Sequence, residues 1–411
     1  MSLLNRLKFP PCFCSHFSTS LPGWFLLLTL SARAVTFEID DTNEFPKIIN
    51  TSATHVTNAT VTGGVAGNPV ESPVWIPSGG GYLVFSDCRN NKLKRIDLPN
   101  TVSDFYAPSS SVLCNGSMLD AQERLINCEA GQFGQAVVMF SNNVPTVICD
   151  RDANTNQFYS PNDLCIKSDG TIWFTDPGYN GNTPKGTLHY AAGYYVYRFN
   201  PAVGNASCVP VITSGLNQPN GICFSPDESK LYVAGGGTGG NNNKQIFVYT
   251  VTSSNTVTGG TLFATIGNGI PDGIRCDVDG RLWSSAGNGV WIYAPDGHLI
   301  GKILYGLVSN LSFGGADYHT LFMAGSPYVT SIPVLVTGMP SVKKLKTSIT
   351  NGQFNVSWPA PSTGFNLQQS DQVGAAANWT ASANSPQVSN AQNVVTLNPT
   401  NSSKFYRLKL N

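Results

Sequence analysis

The chain has 411 residues, and its 24 lysines and arginines balance its 24 aspartates and glutamates, so the formal net charge is zero. This balance excludes the basic footprint that nucleic-acid binding or attachment to an anionic membrane surface requires. Charged residues make up 12 %, about half the roughly 25 % of ordinary soluble domains, whereas 41 % apolar residues suffice for a core. Together with 41 glycines and 26 prolines, this composition favours an all-β protein that works outside the cytoplasm.

The first 34 residues have the order of a secretory signal peptide. Basic residues precede the apolar run Trp24–Leu30, and Ala32 and Ala34 supply the small residues of a cleavage site. The run is far shorter than the ~20 residues of a membrane-spanning helix, so no membrane span is expected. The sequence predicts a signal peptide over 1–34 and a mature chain that begins near Val35 and is secreted or periplasmic. The alternative is a hydrophobic N-terminal helix of the fold.

Removal of the leader would remove Cys12 and Cys14 and leave eight cysteines. An even number in an exported chain permits disulfides, although 105 full pairings are possible. Buried free thiols are the alternative, because Cys165 and Cys223 occupy strand positions where a small apolar residue would serve. No CxxC pair occurs in the sequence, which argues against a zinc knuckle or a thioredoxin-like redox motif.

An internal repeat dominates the middle of the chain. Each copy reads as a polar loop, a short apolar strand, a turn and a second strand, and the pairs Asp169-Gly170 and Asp279-Gly280 are typical of hairpin turns. Copies begin at Glu71, Cys114, Ser160, Gln218, Ile270 and Asn310. At ~45 residues per four-stranded blade, this region holds about six blades. We therefore predict a six-bladed β-propeller over 35–340.

In a propeller, equivalent loops from every blade meet at one mouth of the central channel. Glu71, Asn162, Asn220 and Asp272 occupy corresponding loops of different copies. The architecture therefore predicts that these four side chains face one another.

The repeat ends near Pro340, and Ser, Thr, Asn and Gln dominate the remainder. We predict a small C-terminal β module over 341–411. Its predicted strands are Phe354–Trp358, Phe365–Gln369, Val394–Leu397 and Phe405–Leu408.

Residues 65–340 resemble the gluconolactonase/regucalcin (senescence marker protein) family of six-bladed propellers. The motifs that carry this resemblance are Glu71-Ser72-Pro73-Val74-Trp75, Ser160-Pro161-Asn162-Asp163, Pro219-Asn220-Gly221, Pro271-Asp272-Gly273 and Phe313-Gly314-Gly315-Ala316-Asp317. The resemblance implies one divalent cation, typically calcium, at the channel mouth. It implies Glu71, Asn220 and Asp272 as ligands, with Asn162 either a direct ligand or a group that supports the ligands.

The chemistry of these residues agrees with that implication. Two carboxylates and two amide carbonyls form an all-oxygen, doubly negative set that suits a hard cation such as Ca²⁺, with Mg²⁺, Mn²⁺ and Zn²⁺ as alternatives. None of the five histidines lies in the motifs. The structural alternative is that these Asn and Asp residues cap turns, as they commonly do.

The activity that the resemblance implies is hydrolysis of a sugar lactone to the aldonic acid. Asp272 is the candidate general base and Glu71 the alternative, and no Gly-x-Ser-x-Gly elbow of a serine esterase occurs. The residues predicted to bind the substrate are Asn115, Asn162, Asp176 and Tyr179. Ala130 departs from the family, which commonly has His at this position, so the resemblance leaves the identity of the substrate open.

Two other functions stay open at this point. The first is phosphotriester hydrolysis at the same metal site, and the second is a non-catalytic extracellular propeller that binds carbohydrate. The expected partner is a small lactone, and the expected state is a monomer.

Overall fold

The structure, a computed structural model, describes residues 33–34, 36–64, 68–186, 188–236, 244–340, 345–350, 353–359, 365–372, 378–389, 392–397 and 404–410. The predicted signal peptide, with Cys12 and Cys14, lies outside these residues except for its last two positions. Among the described residues, no helix has the length and apolar character needed to cross a bilayer.

Antiparallel strands form nearly all of the regular structure. In chain order they are β1 Arg33–Ala34, β2 Thr36–Ile39, β3 Thr54–Thr60, β4 Val70–Ile76, β5 Tyr82–Asp87, β6 Lys92–Asp97, β7 Thr101–Tyr106, β8 Cys114–Leu119, β9 Leu125–Glu129, β10 Ala136–Ser141, β11 Val144–Cys149, β12 Leu164–Ile166, β13 Ile172–Asp176, β14 Tyr195–Phe199, β15 Val209–Ile212, β16 Gln218–Phe224, β17 Lys230–Gly236, β18 Gln245–Val251, β19 Val257–Thr265, β20 Ile274–Cys276, β21 Leu282–Ala286, β22 Gly289–Tyr293, β23 Leu299–Leu304, β24 Asn310–Gly314, β25 Thr320–Gly325, β26 Tyr328–Pro333, β27 Lys346–Thr350, β28 Gln353–Pro359, β29 Phe365–Ser370, β30 Thr380–Ala381, β31 Gln387–Ser389, β32 Gln392–Leu397 and β33 Phe405–Leu410. One short helix, α1, spans Phe45–Ile48, and 3₁₀ turns span Ser78–Gly80 and Gly204–Ser207.

The described residues between 33 and 333 form six sheets, in which consecutive strands pair and β1, β2 and β3 from the start of the chain join the last two sheets. The sheet orders are β4-β5-β6-β7, β8-β9-β10-β11, β12-β13-β14-β15, β16-β17-β18-β19, β20-β21-β22-β23-β2 and β24-β25-β26-β3-β1. The repeat copies coincide with the first strand of each sheet. These first strands contact one another in cyclic order, β4 to β8, β12, β16, β20, β24 and back to β4. The described chain is therefore all-β and propeller-like.

The segment before the first repeat completes two of the sheets. β3 pairs with β26, with Thr60 opposite Tyr328, and β2 pairs with β23, with Phe37 opposite Ile303. Both segments cover strand edges that would otherwise present unpaired backbone groups to other chains. The sequence repeat does not reveal this closure, because β2 and β3 lie outside it.

The apolar core lies between neighbouring sheets. Between the first two sheets, Val74 and Val84 pack in one cluster with Leu119 and Leu125. The largest side chains with no exposed surface include Trp173 and Trp283 on the second strands of their sheets. Apolar side chains on both faces of each sheet are thus buried against the neighbouring sheets, and the polar groups lie at the strand ends.

The predicted hairpin turns are confirmed. Gly170, Gly280 and Gly297 have φ values of +86°, +83° and +97°, and each lies between two consecutive strands of one sheet. Only glycine adopts this conformation without steric cost, which explains the Asp-Gly pairs in the repeat.

The C-terminal residues form two further sheets, β27-β28-β32-β31 and β30-β29-β33. Strands β28, β29, β32 and β33 coincide with the four predicted strands. Their core contains Val356, Trp358, Leu367, Val395 and Leu397. This segment therefore has an apolar cluster of its own.

Candidate functional site

Three of the innermost strands are irregular at the residue that carries the predicted site group. The pairing register shifts between Glu71 and Val74 in β4, between Cys114 and Ser117 in β8, and between Pro219 and Ile222 in β16. Such bulges bend a strand and redirect a side chain, and they are common beside active sites.

Glu71, Asn220 and Asp272 lie together, as predicted. The Glu71 and Asp272 carboxylates interact by charge, and the Asn220 side-chain amide lies beside Asp272 and lowers its pKa. Glu71 and Asn220 are 3 % and 4 % exposed. The site thus holds two neighbouring carboxylates, with Glu71 buried and Asp272 partly exposed, and the Asn220 amide beside Asp272.

The two carboxylates repel each other in a site that buries Glu71 and leaves Asp272 only partly exposed. Burial, followed by the charges of Asp272 and Asp163, holds the pKa of Glu71 well above its usual range. Burial, with the charge of Asp163, raises the pKa of Asp272 to about 7. Two carboxyl groups that are buried side by side disfavour each other's ionised form. A bound cation would offset the free-energy cost of keeping both ionised.

The Asn220 amide supplies the observation that points to a ligand. Its Oδ1 atom is buried and has no hydrogen-bond partner. An unpaired buried acceptor costs about 1–3 kcal/mol. Among the described residues, no group of three or more His, Cys, Asp or Glu is arranged to hold a metal. The oxygen donors gathered here are two carboxylates and the Asn220 amide oxygen. That set fits a hard divalent cation.

Asn162 is held beside this group by its backbone. Its N–H donates to the Thr175 carbonyl at 2.8 Å, and its own carbonyl accepts from the Gly116 N–H at 2.7 Å. The Thr175 hydroxyl donates to the Asn220 carbonyl at 2.7 Å. Thr175 therefore connects the two loops that carry Asn162 and Asn220.

Tyr179 and Asn115 lie at the same face. The Tyr179 hydroxyl donates to the Gln218 carbonyl at 3.3 Å and lies beside the Asn220 side chain, and the ring is 37 % exposed. Burial and the Asp272 charge raise the pKa of Tyr179, so its hydroxyl stays protonated and can donate a hydrogen bond. The Asn115 carbonyl accepts from the Ser86 hydroxyl at 2.6 Å, which anchors this loop while its half-buried side chain stays available.

Asp176 occupies a position at odds with its predicted contact with a substrate. Its side chain has no exposed surface, and its oxygens accept the backbone N–H groups of Tyr159 at 2.9 Å and Ser160 at 2.6 Å. Tyr159 and Ser160 begin the loop that leads to Asn162, so both carboxylate oxygens of Asp176 are occupied by the backbone of that loop. Asp176 therefore fixes the conformation of the loop and is not free to contact a substrate.

The structure also adds three residues that sequence reasoning missed. Asn310 lies beside Glu71 and lowers its pKa, and its position at the start of the sixth repeat copy was the available signal. Asp163 and Arg275 form a buried ion pair with Nη1 3.1 Å from Oδ2. Asp163 follows Asn162 in its motif, whereas nothing in the sequence marks Arg275.

A loop after β13 covers part of this face, reaching from the third sheet to the second. Its Asn180 and Asn182 side chains donate to the Ala130 carbonyl at 3.0 and 2.8 Å. Lys185 Nζ donates to the Gly134 carbonyl at 2.6 Å. Ala130, the position at which this sequence departs from the family, is therefore in direct contact with this loop.

Comparison with known proteins agrees with this arrangement. The sequence pattern of the SMP-30/gluconolactonase/LRE-like region matches residues 69–326. The chain belongs to this family. As a member of it, the protein is a lactone-hydrolysing enzyme, a carboxylic-ester hydrolase, as its lactonase relatives also indicate.

Individual family members are similar over most of the propeller-like region. A gluconolactonase of Zymomonas mobilis is 30 % identical over 285 residues, which cover 64 % of this chain and 77 % of that protein. The solved structure of a gluconolactonase from Xanthomonas campestris is 29 % identical, with a TM-score of 0.62, over 74 % of this chain and 99 % of that one. A calcium-binding regucalcin from Agrobacterium tumefaciens shares the fold at 17 % identity, with a TM-score of 0.52, over 69 % of this chain and 98 % of that one.

Proposed function

We propose that this enzyme is a six-bladed propeller that opens a sugar lactone to the aldonic acid with the help of one divalent cation. Glu71, Asn220 and Asp272 would hold the cation, and Asn162 would bind it or support the other three. The observation that carries this proposal is the unpaired, buried Asn220 Oδ1 beside two carboxylates that repel each other. Ca²⁺ is the ion that an all-oxygen set favours, with Mg²⁺, Mn²⁺ and Zn²⁺ as alternatives.

When bound, the cation supplies Lewis-acid polarisation of the lactone carbonyl. Asp272 is the proposed general base: it accepts a proton from the water that attacks the carbonyl carbon. As the ring C–O bond breaks, the same carboxyl returns the proton to the departing ring oxygen, which leaves a carboxylic acid and a free hydroxyl. Glu71 is the alternative base, but its deeper burial and the Asn310 side chain beside it suit it better to a fixed position.

Substrate contacts are proposed for Tyr179, Asn115 and Asn162. The Tyr179 hydroxyl can turn from the Gln218 carbonyl and donate its proton to a lactone oxygen, because its pKa is raised and the residue is partly exposed. Asp176 takes a positioning role, since its oxygens already hold the loop that carries Asn162.

A metal-dependent screen tests the whole proposal. The enzyme is stripped with a chelator, and each of the four cations is returned separately. Glucono-lactone, an aromatic lactone and a phosphotriester are assayed side by side. We expect activity on the sugar lactone that is lost on chelation and restored by Ca²⁺. Full activity after exhaustive chelation would contradict the metal mechanism, and turnover of the phosphotriester alone would favour the competing esterase function.

Export and monomeric state are parts of the same proposal. We propose that residues 1–34 are removed and that the mature enzyme is a secreted or periplasmic monomer. In the structure Arg33-Ala34 pair with His55 and Thr54. Of the described residues, cleavage before Val35 would remove only this two-residue strand. Intact-mass analysis of exported protein and its mass in solution by light scattering would test both statements.

A further inference from the structure

Two buried thiols meet across a boundary between neighbouring sheets. The sulfur atoms of Cys223 on β16 and Cys276 on β20 are 3.9 Å apart, although the residues are 53 positions apart in sequence. The side chains are 5 % and 2 % exposed. In the described part of the chain all eight cysteines are free thiols, and this pair lies on the first strands of two sheets: β16, which also carries Asn220, and β20, which begins two residues after Asp272.

The same two cysteines line a large cavity. Its volume is about 990 Å³, and its wall includes Cys165, Cys223, Cys276 and Arg275 but none of the proposed metal ligands. The cavity therefore borders both cysteines, and its wall is separate from the proposed metal ligands.

We propose that Cys223 and Cys276 form a disulfide that ties the fourth sheet to the fifth. A disulfide needs its sulfur atoms about 2.05 Å apart, so the present separation must shorten by roughly 2 Å. The two strands already contact each other, and side-chain rotation can supply much of this movement. The bridge would fix the spacing of the strands that present Asn220 and Asp272.

The oxidation is a two-electron step. Each thiol loses its proton, one S–S bond forms, and two electrons pass to an oxidant such as an azodicarboxamide (diamide), which takes up both protons and becomes the hydrazine. A hydrogen bond with Cys223, together with burial, raises the pKa of Cys276, so the thiolate is scarce in the folded protein. Bond formation is therefore expected to be slow after folding and faster during refolding in a glutathione redox buffer.

Peptide mapping tests the pairing directly. Full-length protein is treated with diamide, and a second sample is refolded in oxidised and reduced glutathione; both are alkylated in denaturant and digested. Trypsin releases Cys276 in peptide 276–281, and chymotryptic cleavage after Leu216 separates Cys208 from Cys223. We expect a 223–276 linked peptide in at least one sample, which disappears on reduction. No linked peptide in either sample, or a Cys165–Cys223 link instead, would overturn the proposal.

Thermal melting gives an independent readout. The oxidised protein is expected to melt about 5 °C above its own reduced form, because the bond closes a long loop in the unfolded chain. Cys276→Ala should abolish this difference between the oxidised and reduced samples, even if the variant is itself less stable. Cys128→Ala, which removes another buried thiol, should keep the difference. An equal shift in Cys276→Ala would show that the stabilisation comes from a different cysteine pair.

Discussion

Gly221 lies directly against the backbone of Asp272: a Cβ atom on Gly221 would overlap the Asp272 carbonyl oxygen. The next pair around the ring repeats the contact, since a Cβ atom on Gly273 would overlap the Asn310 side-chain amide. Each glycine follows a proposed site residue in its motif. The glycines of the repeat therefore set how closely neighbouring site loops approach.

Replacement of Gly221 by Ala is expected to weaken cation binding and to destabilise the fold by about 1–3 kcal/mol, because the loop that carries Asp272 must move away. The measurements are a calcium titration and a chemical-denaturation curve. Gly79→Ala is the control, because Gly79 has a positive φ but no atoms within 4 Å of an added Cβ. It should lose about 1 kcal/mol from backbone strain while it keeps its calcium affinity. Unchanged affinity in Gly221→Ala would mean that this contact does not position Asp272.

Asp272→Asn keeps an oxygen donor and most of the side-chain shape but removes the basicity. If Asp272 is the general base, turnover should fall about 100-fold or more at saturating calcium. Glu71→Gln is the matched carboxylate-to-amide control, and its loss should be recovered largely by higher calcium. Turnover and calcium affinity are measured for both variants. If higher calcium restored the turnover of Asp272→Asn, Asp272 would be a metal ligand and not the general base.

Calcium should stabilise the protein more at pH 8 than at pH 5. The pKa of Asp272 is raised to about 7 and that of Glu71 is also raised, whereas both groups ionise near pH 4 in the unfolded chain. Between these values the cation-free folded state holds more protons than the unfolded state, so its free energy of unfolding falls as pH rises. A cation binds the ionised carboxylates and reverses this loss.

The measurement is the calcium-induced shift in Tm at each pH, at calcium well above its Kd. The double variant Glu71→Gln with Asp272→Asn should show a small shift that hardly depends on pH. Equal shifts at both pH values in the unaltered enzyme would argue that neither carboxylate binds the ion.

Asp176→Ala is expected to destabilise the protein by several kcal/mol, roughly 2–5, because two buried backbone N–H groups lose their acceptor. Activity should fall as well, since the loop to Asn162 loses its support. Asp296→Ala provides the comparison: that carboxylate also accepts a backbone N–H, from His298 at 3.1 Å, but is 75 % exposed. Denaturation curves should show a change within about 0.5 kcal/mol for the exposed site. Similar losses at both positions would contradict the role given to Asp176.

A chain that ends after Pro340 should fold and keep its turnover. The C-terminal sheets have their own apolar cluster, whereas Met339 still packs against the propeller-like core and its N–H donates to the Cys276 carbonyl. A cut at Gly338 would remove that contact and should lower Tm. A cooperative melt and unchanged activity after Pro340 would support the predicted boundary, and aggregation of this variant would refute it.

The sequence alone was enough for the class of fold and for much of the candidate site. Repeated apolar strands and Asp-Gly turns are local features, and each copy carries its polar residue at the same place. Glu71, Asn220 and Asp272 therefore met as expected, because equivalent positions of a ring of sheets must converge.

Contacts between distant parts of the chain were decided only by the tertiary structure. The pairing of β3 with β26, the Asp163–Arg275 ion pair and the Cys223–Cys276 contact all depend on how the ring closes. Burial separated the roles of Asp176 and Tyr179, which lie three residues apart in one motif. The two residues share one stretch of sequence, which does not tell their environments apart. The Asp176 side chain is buried under the loop, whereas Tyr179 is partly exposed, because contacts with other parts of the chain decide which side chain is covered.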